Sequence, residues 1–370
     1  MTTGPELSII VPTFSERGSV AEVVRRLDAC LEGIPWEVIF VDDDSPDGTA
    51  DAVRHLGRGD SRVRVVHRVN RRGLSTACVE GMLASSAPYL AVMDADLQHD
   101  ERILPKMLTS LKEEGLDIVV GSRHVEGGGM GDWGEGRQLV SRFATRLSRL
   151  VLKADLKDPM SGFFLLKRDV LHEAVHDLSG IGFKILLDLF ASVGRPLKFK
   201  EIPYTFRNRH AGESKLDSVV AWEYLIMLLD KSIGRYVPIR FVPFAFIGGI
   251  GVFVHMAVLW LIFRSMGQSF VAGQTAATLV AMTTNFFMNN MFTYRDRRLR
   301  GWGLLRGWVS FSLACSLGAV ANVGIATYLF ESDAMGDIGW VLSAIAGIVV
   351  GAVWNYAVTS VYTWSKPKAA

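Results

Sequence analysis

The chain has 370 residues, 49% of them hydrophobic, with 40 basic side chains against 38 acidic ones and a net charge of +2. That balance excludes bulk nucleic-acid binding. Three scattered cysteines, Cys30, Cys78 and Cys315, exclude a disulfide framework and lack metal-ligand spacing.

The N-terminal MTTGPELSIIVPTF has no basic region, and its apolar run is too short for a signal peptide, so the soluble part is expected to stay in the cytoplasm. Leu7 to Val11, closed by Pro12, predicts a strand, and Ser19 to Leu31 has helical spacing. Trp36 to Val41 predicts a second strand, followed by DDDSPDGT. Asp47 to Leu56 predicts a helix, Val63 to His67 a strand and Leu74 to Ser85 a helix. Tyr89 to Met93 is the strand that delivers Asp94 and Asp96; Arg102 to Glu114 predicts a helix and Ile118 to Gly121 a strand. Strands alternating with helices predict an α/β domain with a mostly parallel, Rossmann-like sheet. Ligands of such sheets sit outside the carboxyl ends of the strands. Asp42 to Asp44 and Asp94 to Asp96 both lie at such ends and are placed to face one cleft.

Asp94 and Asp96, at i and i+2, share one side of an extended segment. Alone they repel and their pKa values rise. A divalent cation with a taste for hard oxygens, Mg2+ or Mn2+, removes that repulsion and leaves sites for diphosphate oxygens, with Gln98 as a further neutral oxygen. A solvated turn capping the next helix would use the same residues. Basic residues cluster further on: Arg123 in GSRH, Arg137 and Arg142 around GRQLVSR, then Arg207, Arg209 and Lys215 in FRNRHAGESKL. Arg suits bidentate phosphate recognition, and Gly212 allows close backbone approach. A solvated face or contact with anionic headgroups reads equally from the same cluster. GGGMGDWGEG, residues 127–136, is a lid or a loose connector.

Beyond about residue 235 the pattern changes. Phe241 to Phe263, Phe270 to Phe292, Trp308 to Phe330 and Gly339 to Trp364 carry no Asp, Glu, Lys or Arg. Each reaches the roughly 20 residues needed to cross a bilayer core, which predicts an all-α domain of four transmembrane helices. Arg264 is the only basic residue between the first two spans; Arg295, Arg297, Arg298, Arg300 and Arg306 lie between the second and third. Glu331, Asp333 and Asp337 follow the third span, and Lys366 and Lys368 the fourth. The positive-inside rule then puts both termini, the soluble domain and the Arg-rich loop in the cytoplasm. Asp217 to Tyr236 mixes Trp222, Tyr224, Leu225, Met227 and Leu228 with charges, and reads as a helix at the headgroups or one packed on the soluble domain.

IIVPTFSER, VDDDSPDGT, VMDADLQHD, GSRHVEGG, KDPMSGFFLLKRDV, IGFKILLDL and RHAGESKL occur in order over roughly residues 8–217. Together they resemble the dolichol-phosphate mannose synthases, GT-A enzymes of glycosyltransferase family 2. RFVPFAFIGGIGVF, NFFMNNMFTYRDR and VWNYAVTSVYTW are similar to the GtrA-like four-helix region that some of these synthases carry. The resemblance implies a catalytic domain over residues 1–216, amphipathic interface helices over 217–237 and a membrane domain over 238–370.

It further implies transfer of mannose from GDP-mannose to a polyprenyl phosphate at a bilayer. Asp94, Asp96 and Gln98 match the metal positions, and Asp94 and Ala95 also border the donor. Pro12, Phe14, Glu16, Val41 and Asp43 match the nucleoside-binding positions. Arg209 and Lys215 match the residues that meet the donor diphosphate, and Lys184 a further site lysine. Arg123, Arg137 and Ser141 match those that meet the acceptor phosphate. Phe14 stands where many relatives have Tyr, so that hydroxyl is missing. A phosphate monoester is already anionic, so no catalytic base is expected. Positioning and charge stabilisation, centred on Asp96, Arg123 and Arg137, carry the implied displacement with inversion. The same framework fits a UDP-glucose-dependent polyprenyl-phosphate glucosyltransferase, and a flippase or anchor of lipid-linked sugars is the rival from another class. The oligomeric state stays open, a homo-oligomer included.

Overall fold

The computed structural model of the protein describes residues 4–129, 146–149, 152, 154–180, 182–207, 224, 226–231, 238, 240–331 and 339–364, without the side chains of 296 and 319–348. The chain divides into two compact units, Met1–Ser232 and Ile233–Ala370.

In the first unit, seven strands form one sheet: β1 (Leu7–Thr13), β2 (Trp36–Asp42), β3 (Val63–His67), β4 (Tyr89–Val92), β5 (Ile118–Ser122), β6 (Phe164–Lys167) and β7 (Phe199–Pro203), in spatial order β3-β2-β1-β4-β6-β5-β7. β6 pairs antiparallel with both β4 and β5, while the other pairings are parallel. The expected sheet is therefore mixed, with one reversed strand. β6 was not legible from chain order because its partners are fixed only in three dimensions.

Alternation along β1 explains the layers. Leu7, Ile9 and Val11 point into one core and Ile10 into the other. On the first face pack α1 (Val20–Cys30), through Val20, Val23 and Leu27 at helical spacing, and α4 (Leu104–Glu113), through Leu104, Met107, Leu108 and Leu111. On the second pack α3 (Leu74–Leu83), α5 (Arg168–Ala174) and α6 (Ile185–Ser192), while α2 (Thr49–Gly59) sets Val53 into the first core. α3 comes very close to the sheet: a Cβ on Gly81 would lie 2.6 Å from Ile10 Cγ2. Part of the expected 217–237 segment is described. There Met227 and Leu228 are buried in the second core and Lys231 Nζ lies 2.7 Å from Asp188 Oδ1, so these residues pack on the α/β domain.

The consequence for function is one crowded edge. The carboxyl ends of β1, β2, β4, β5 and β7 open on the same side, and the chain entering β6 arrives there too.

The second unit holds α7 (Phe241–Leu259), α8 (Phe270–Met288), α9 (Trp302–Glu331) and α10 (Gly339–Val358). α7, α8 and α10 each finish in a wider, π-type turn: Trp260–Ser265, Asn289–Thr293 and Thr359–Thr363. Among the described residues, Phe241–Ser265 is the one helix long and apolar enough to cross a bilayer by length and composition. α8 carries Gln274, Thr275, Thr278, Thr283, Thr284 and Asn285, which lower its apolarity. Thr275 and Thr278 return their hydroxyls to the carbonyls one turn back, at 2.8 Å each.

The α7–α8 and α9–α10 hairpins are built alike. NFFMNNMFTY, residues 285–294, and NYAVTSVYTW, residues 355–364, run in parallel through an Asn, a π-type turn and a terminal aromatic. Asn285 lies against Gly251 and Asn355 against Gly318, where a Cβ would meet the amide at 2.4 Å and 2.0 Å. Tyr294 and Trp364 stack at 4.2 Å and 5°, beside Phe244 and Phe311, so the small core of this unit is formed from matching positions of both hairpins. Phe253, Val271 and Leu313 are among many large apolar side chains left exposed around it.

Candidate active site

The site is assembled from strand ends. After β2 the three aspartates diverge, and each is committed locally. Asp42 is fully buried and accepts from Ser45 N at 3.0 Å and Ser45 Oγ at 2.6 Å, closing the turn. Asp43 accepts from Arg68 Nη1 at 2.5 Å and from Gly73 N at 2.7 Å. Asp44, in the left-handed region at φ 57, accepts from His67 Nε2 at 3.1 Å and Asn70 N at 3.2 Å. Burial pushes the Asp43 carboxyl above its ordinary value, against the opposing effect of Gly73 and Arg68. Arg68 is itself buried and reaches Thr76 Oγ1 at 2.6 Å, so Asp43 organises the approach to α3.

At the end of β1, Arg72 stacks over the Phe14 ring at 4.1 Å. The Glu16 amide donates to Thr49 Oγ1 at 3.1 Å, and its carboxylate accepts from Ser19 at 3.2 Å. Pro12 sits opposite Val41 in the β1–β2 register. Val41 is fully buried and faces α3, where a Cβ on Gly81 would lie 2.7 Å from it, so its side chain is core.

β4 delivers Asp94-Ala95-Asp96. Ala95 is buried, which anchors the segment between two aspartates that are both partly exposed. Asp96 accepts from Gln98 N at 3.1 Å across Leu97, which sits at φ 63. Gln98 is buried: its amide nitrogen donates to the Arg207 carbonyl at 2.9 Å, and its own carbonyl accepts from Arg207 N at 2.9 Å. This clasp ties the aspartate loop to the segment after β7. Arg207 then reaches Glu101 at 2.8 Å and Asp100 at 2.7 Å.

Behind the loop stands an aromatic wall that local sequence does not reveal. His99 is 2% exposed; its ring stacks on Phe163 at 5.1 Å and meets the edges of Tyr204 and Phe206 at 5.8 Å and 5.6 Å. The Asp94 amide donates to His99 Nδ1 at 3.1 Å, which leaves the ring proton on Nε2. Burial lowers the His99 pKa to about 4, so the ring is neutral at physiological pH. Burial likewise raises the Tyr204 phenol.

Arg123, at the end of β5, is held by Asp158. Its Nε and Nη2 donate to the two carboxylate oxygens at 2.7 Å and 2.8 Å, and its backbone N–H adds a third bond at 3.1 Å. Burial opposes both charges, but the hydrogen-bonded pair wins: the arginine pKa rises and that of Asp158 falls. KDPMSGFF, which leads into β6, thus supplies several supports at once. Asp158 fixes Arg123, Ser161 Oγ donates to Gly121 O at 2.6 Å, Gly162 lies against Asp94, and Phe163 backs His99. Lys184, at the start of α6, points Nζ to Met160 O at 3.5 Å and so belongs to the same edge.

Phe14, Glu16, Asp43, Asp94, Asp96, Gln98, Arg123 and Lys184 therefore all lie at the carboxyl edge or on chain entering it. Arg137, Ser141, Arg142, Arg209, Gly212 and Lys215 lie outside the described residues. Arg68, His99, Asp158, Gly162, Tyr204 and Phe206 were not singled out by sequence; LQHD and KDPMSGFF held the signal for three of them, His99, Asp158 and Gly162, as parts of longer motifs.

Among the described residues, no three His, Cys, Asp or Glu side chains converge as a full metal shell. The donor set at Asp94 and Asp96 is two hard carboxylates at a partly open edge. That chemistry fits a cation that shares its remaining positions with water or substrate oxygens.

Comparison with known proteins agrees with this architecture. Residues 8–174 match the Glycosyl transferase family 2 model, and residues 243–364 match the GtrA/DPMS, transmembrane domain model. The dolichol-phosphate mannosyltransferase of Pyrococcus furiosus is 35% identical over 97% of this chain and 99% of its own length. Those of Mycosarcoma maydis and Saccharomyces cerevisiae are 37% and 36% identical over 64% and 62% of this chain, covering 83% and 88% of their lengths. Among solved structures, glucosyl-3-phosphoglycerate synthase from Mycobacterium tuberculosis aligns with TM-score 0.48 at 18% identity, over 62% of this chain and 80% of its own. A GT-A-like mixed sheet joined to a GtrA-like transmembrane domain, matched along nearly the whole length by one relative, makes this chain a membrane glycosyltransferase belonging to the dolichol-phosphate mannosyltransferase family.

Proposed function

We propose that the protein transfers mannose from GDP-mannose to a polyprenyl phosphate of the dolichyl type, with inversion, giving a β-linked mannosyl phosphate. The full-length 35% identity to a dolichol-phosphate mannosyltransferase is the observation that carries this reading.

Phe14, Glu16 and Asp43, with backbone from Pro12 and Val41, border the nucleoside, while Ala95 and Lys184 line the donor. Asp94, Asp96 and Gln98 would hold Mg2+ or Mn2+, which when bound supplies positive charge to the departing diphosphate. Arg209 and Lys215 stand for the same purpose on the protein's side. Arg123, immobilised by Asp158, gives one fixed positive edge of the acceptor site, shared with Arg137 and Ser141. The attacking phosphate oxygen is anionic at neutral pH, so no base takes a proton from it. Orientation and charge stabilisation then lower the barrier. The buried His99, enclosed by Phe163, Tyr204 and Phe206, is assigned no part as a base.

The acceptor's tail stays in lipid, which accounts for a membrane domain on the same chain. Four spans, with the soluble domain, both termini and the Arg-rich loop on the cytoplasmic side, follow from the charge pattern of the loops. The likeness of the two hairpins supports an even number of crossings.

The test is turnover of purified full-length protein in detergent with a short polyprenyl phosphate, offered GDP-mannose or UDP-glucose. Mannosyl-lipid from GDP-mannose only is expected, and Asp96→Ala should cut the rate by about 100-fold or more while the protein keeps its melting temperature. Preference for UDP-glucose would transfer the assignment to a glucosyltransferase. Wild-type rates in Asp96→Ala would remove the proposed site.

A further inference from the structure

We propose that His99 is the positioning residue for Asp94, and that it sets how tightly the aspartate pair holds a divalent cation. The proposal rests on the reading of Asp94 as a cation ligand. It adds a residue that this reading does not require.

The geometry is that of a clamp on one residue. His99 Nδ1 accepts the backbone N–H of Asp94 at 3.1 Å. The other nitrogen, which carries the proton, lies 3.7 Å from Asp94 Oδ2. One imidazole therefore addresses both the main chain and the carboxylate of the same aspartate. The ring has little freedom to turn, because Phe163 stacks flat on it at 14° and Tyr204 and Phe206 meet it edge-on at 74° and 65°. Gly162 bounds the carboxylate from another direction. A Cβ there would sit 3.2 Å from Asp94 Oδ2 and 3.6 Å from His99 Cε1. The oxygen thus lies in a slot between a fixed ring and a position where only hydrogen fits without displacement.

A carboxylate already held in place loses less conformational freedom when it engages a cation. Groups that orient a metal ligand in this way change metal affinity by about 10- to 100-fold when removed. At 3.7 Å the His99 nitrogen is just beyond hydrogen-bond range of Oδ2, so a small rotation of the carboxylate brings the contact in. The protein thereby tunes cation affinity from a buried position.

The experiment measures Mn2+ affinity of full-length protein in detergent with saturating GDP, by the electron paramagnetic resonance signal of free Mn2+. His99→Asn keeps an acceptor where Nδ1 was and loses the nitrogen facing Oδ2. Mn2+ binding should weaken by about 10-fold, with rate restored by excess Mn2+ and KM for GDP-mannose then within about twofold of wild type. His99→Gln, which places an amide nitrogen near the Nε2 position, should return affinity to within about threefold. Gly162→Ala probes the other wall and should weaken Mn2+ in the same direction. Unchanged Mn2+ affinity in a folded His99→Asn, with Asp96→Ala losing it, overturns the role of His99 alone. Unchanged affinity in Asp96→Ala as well would instead overturn the cation site on which it rests. An activity loss in His99→Asn that excess Mn2+ does not restore also counts against the proposal.

Discussion

At Arg123, the position of the residue and the freedom of its side chain are set by different parts of the chain. Its motif, GSRH, marks a cation at a strand end, but nothing near it in sequence announces Asp158, 35 residues on. The pair is buried at both ends, so removing one partner strands the other charge. Asp158→Asn should cost about 3–5 kcal/mol, read as a lower melting temperature of the soluble unit, and Arg123→Met with Asp158→Leu together should cost less than either alone. The pH dependence follows in sign. Asp158 is depressed in the folded state, through Arg123 winning over burial, so its stabilisation is complete above the ordinary carboxylate range of about 4 and disappears as pH falls through the lower folded value. Melting curves of wild type and Asp158→Asn should differ by a constant amount from pH 5 to 7 and converge in stronger acid. A gap that persists unchanged to the lowest pH at which the protein folds would contradict the ion-pair account.

At the scale of elements, short apolar runs were legible as strands, and β1, β2, β3, β4 and β5 fall within a residue or two of their expected ranges. The same holds for α1 and α3. The helix expected from Arg102 begins with a short 3-10 turn, Glu101–Ile103, capped by Asp100, and continues as α4 from Leu104. What sequence left unread is what depends on pairing between distant segments: β6 running backwards, and the wall of Phe163, Tyr204 and Phe206 around His99. In the membrane unit the four apolar stretches were visible, but the repeat was not, because its signature is a few polar and aromatic positions within similar apolar text. That repeat makes a prediction of its own. Gly251 and Gly318 are the seats of Asn285 and Asn355, so Gly251→Leu and Gly318→Leu should each lower the melting temperature of full-length protein in detergent, by overpacking of about 1–3 kcal/mol or more. Gly251→Ala with Asn285→Ala should melt above Gly251→Ala alone; no recovery would show that the amide is not what the added methyl meets.

For the molecule as a whole, both halves answer to the same substrate problem. A nucleotide sugar is soluble and a polyprenyl phosphate is not, so one chain combines a carboxyl-edge site with apolar helices whose outer surfaces carry exposed Phe253, Val271 and Leu313. The proposed cation site is the aspartate pair, backed by KDPMSGFF through Gly162 and Phe163. The two carboxylates were readable in DADLQ; their support was not, since that comes from residues after β4, β5 and β7 folding onto one another. Crystals of full-length protein grown with Mn2+ and GDP, measured at the manganese absorption edge, test the central claim most directly. An anomalous peak bridging the carboxylates of Asp94 and Asp96 and the GDP diphosphate is the predicted result. GDP bound with no manganese at those carboxylates would contradict it.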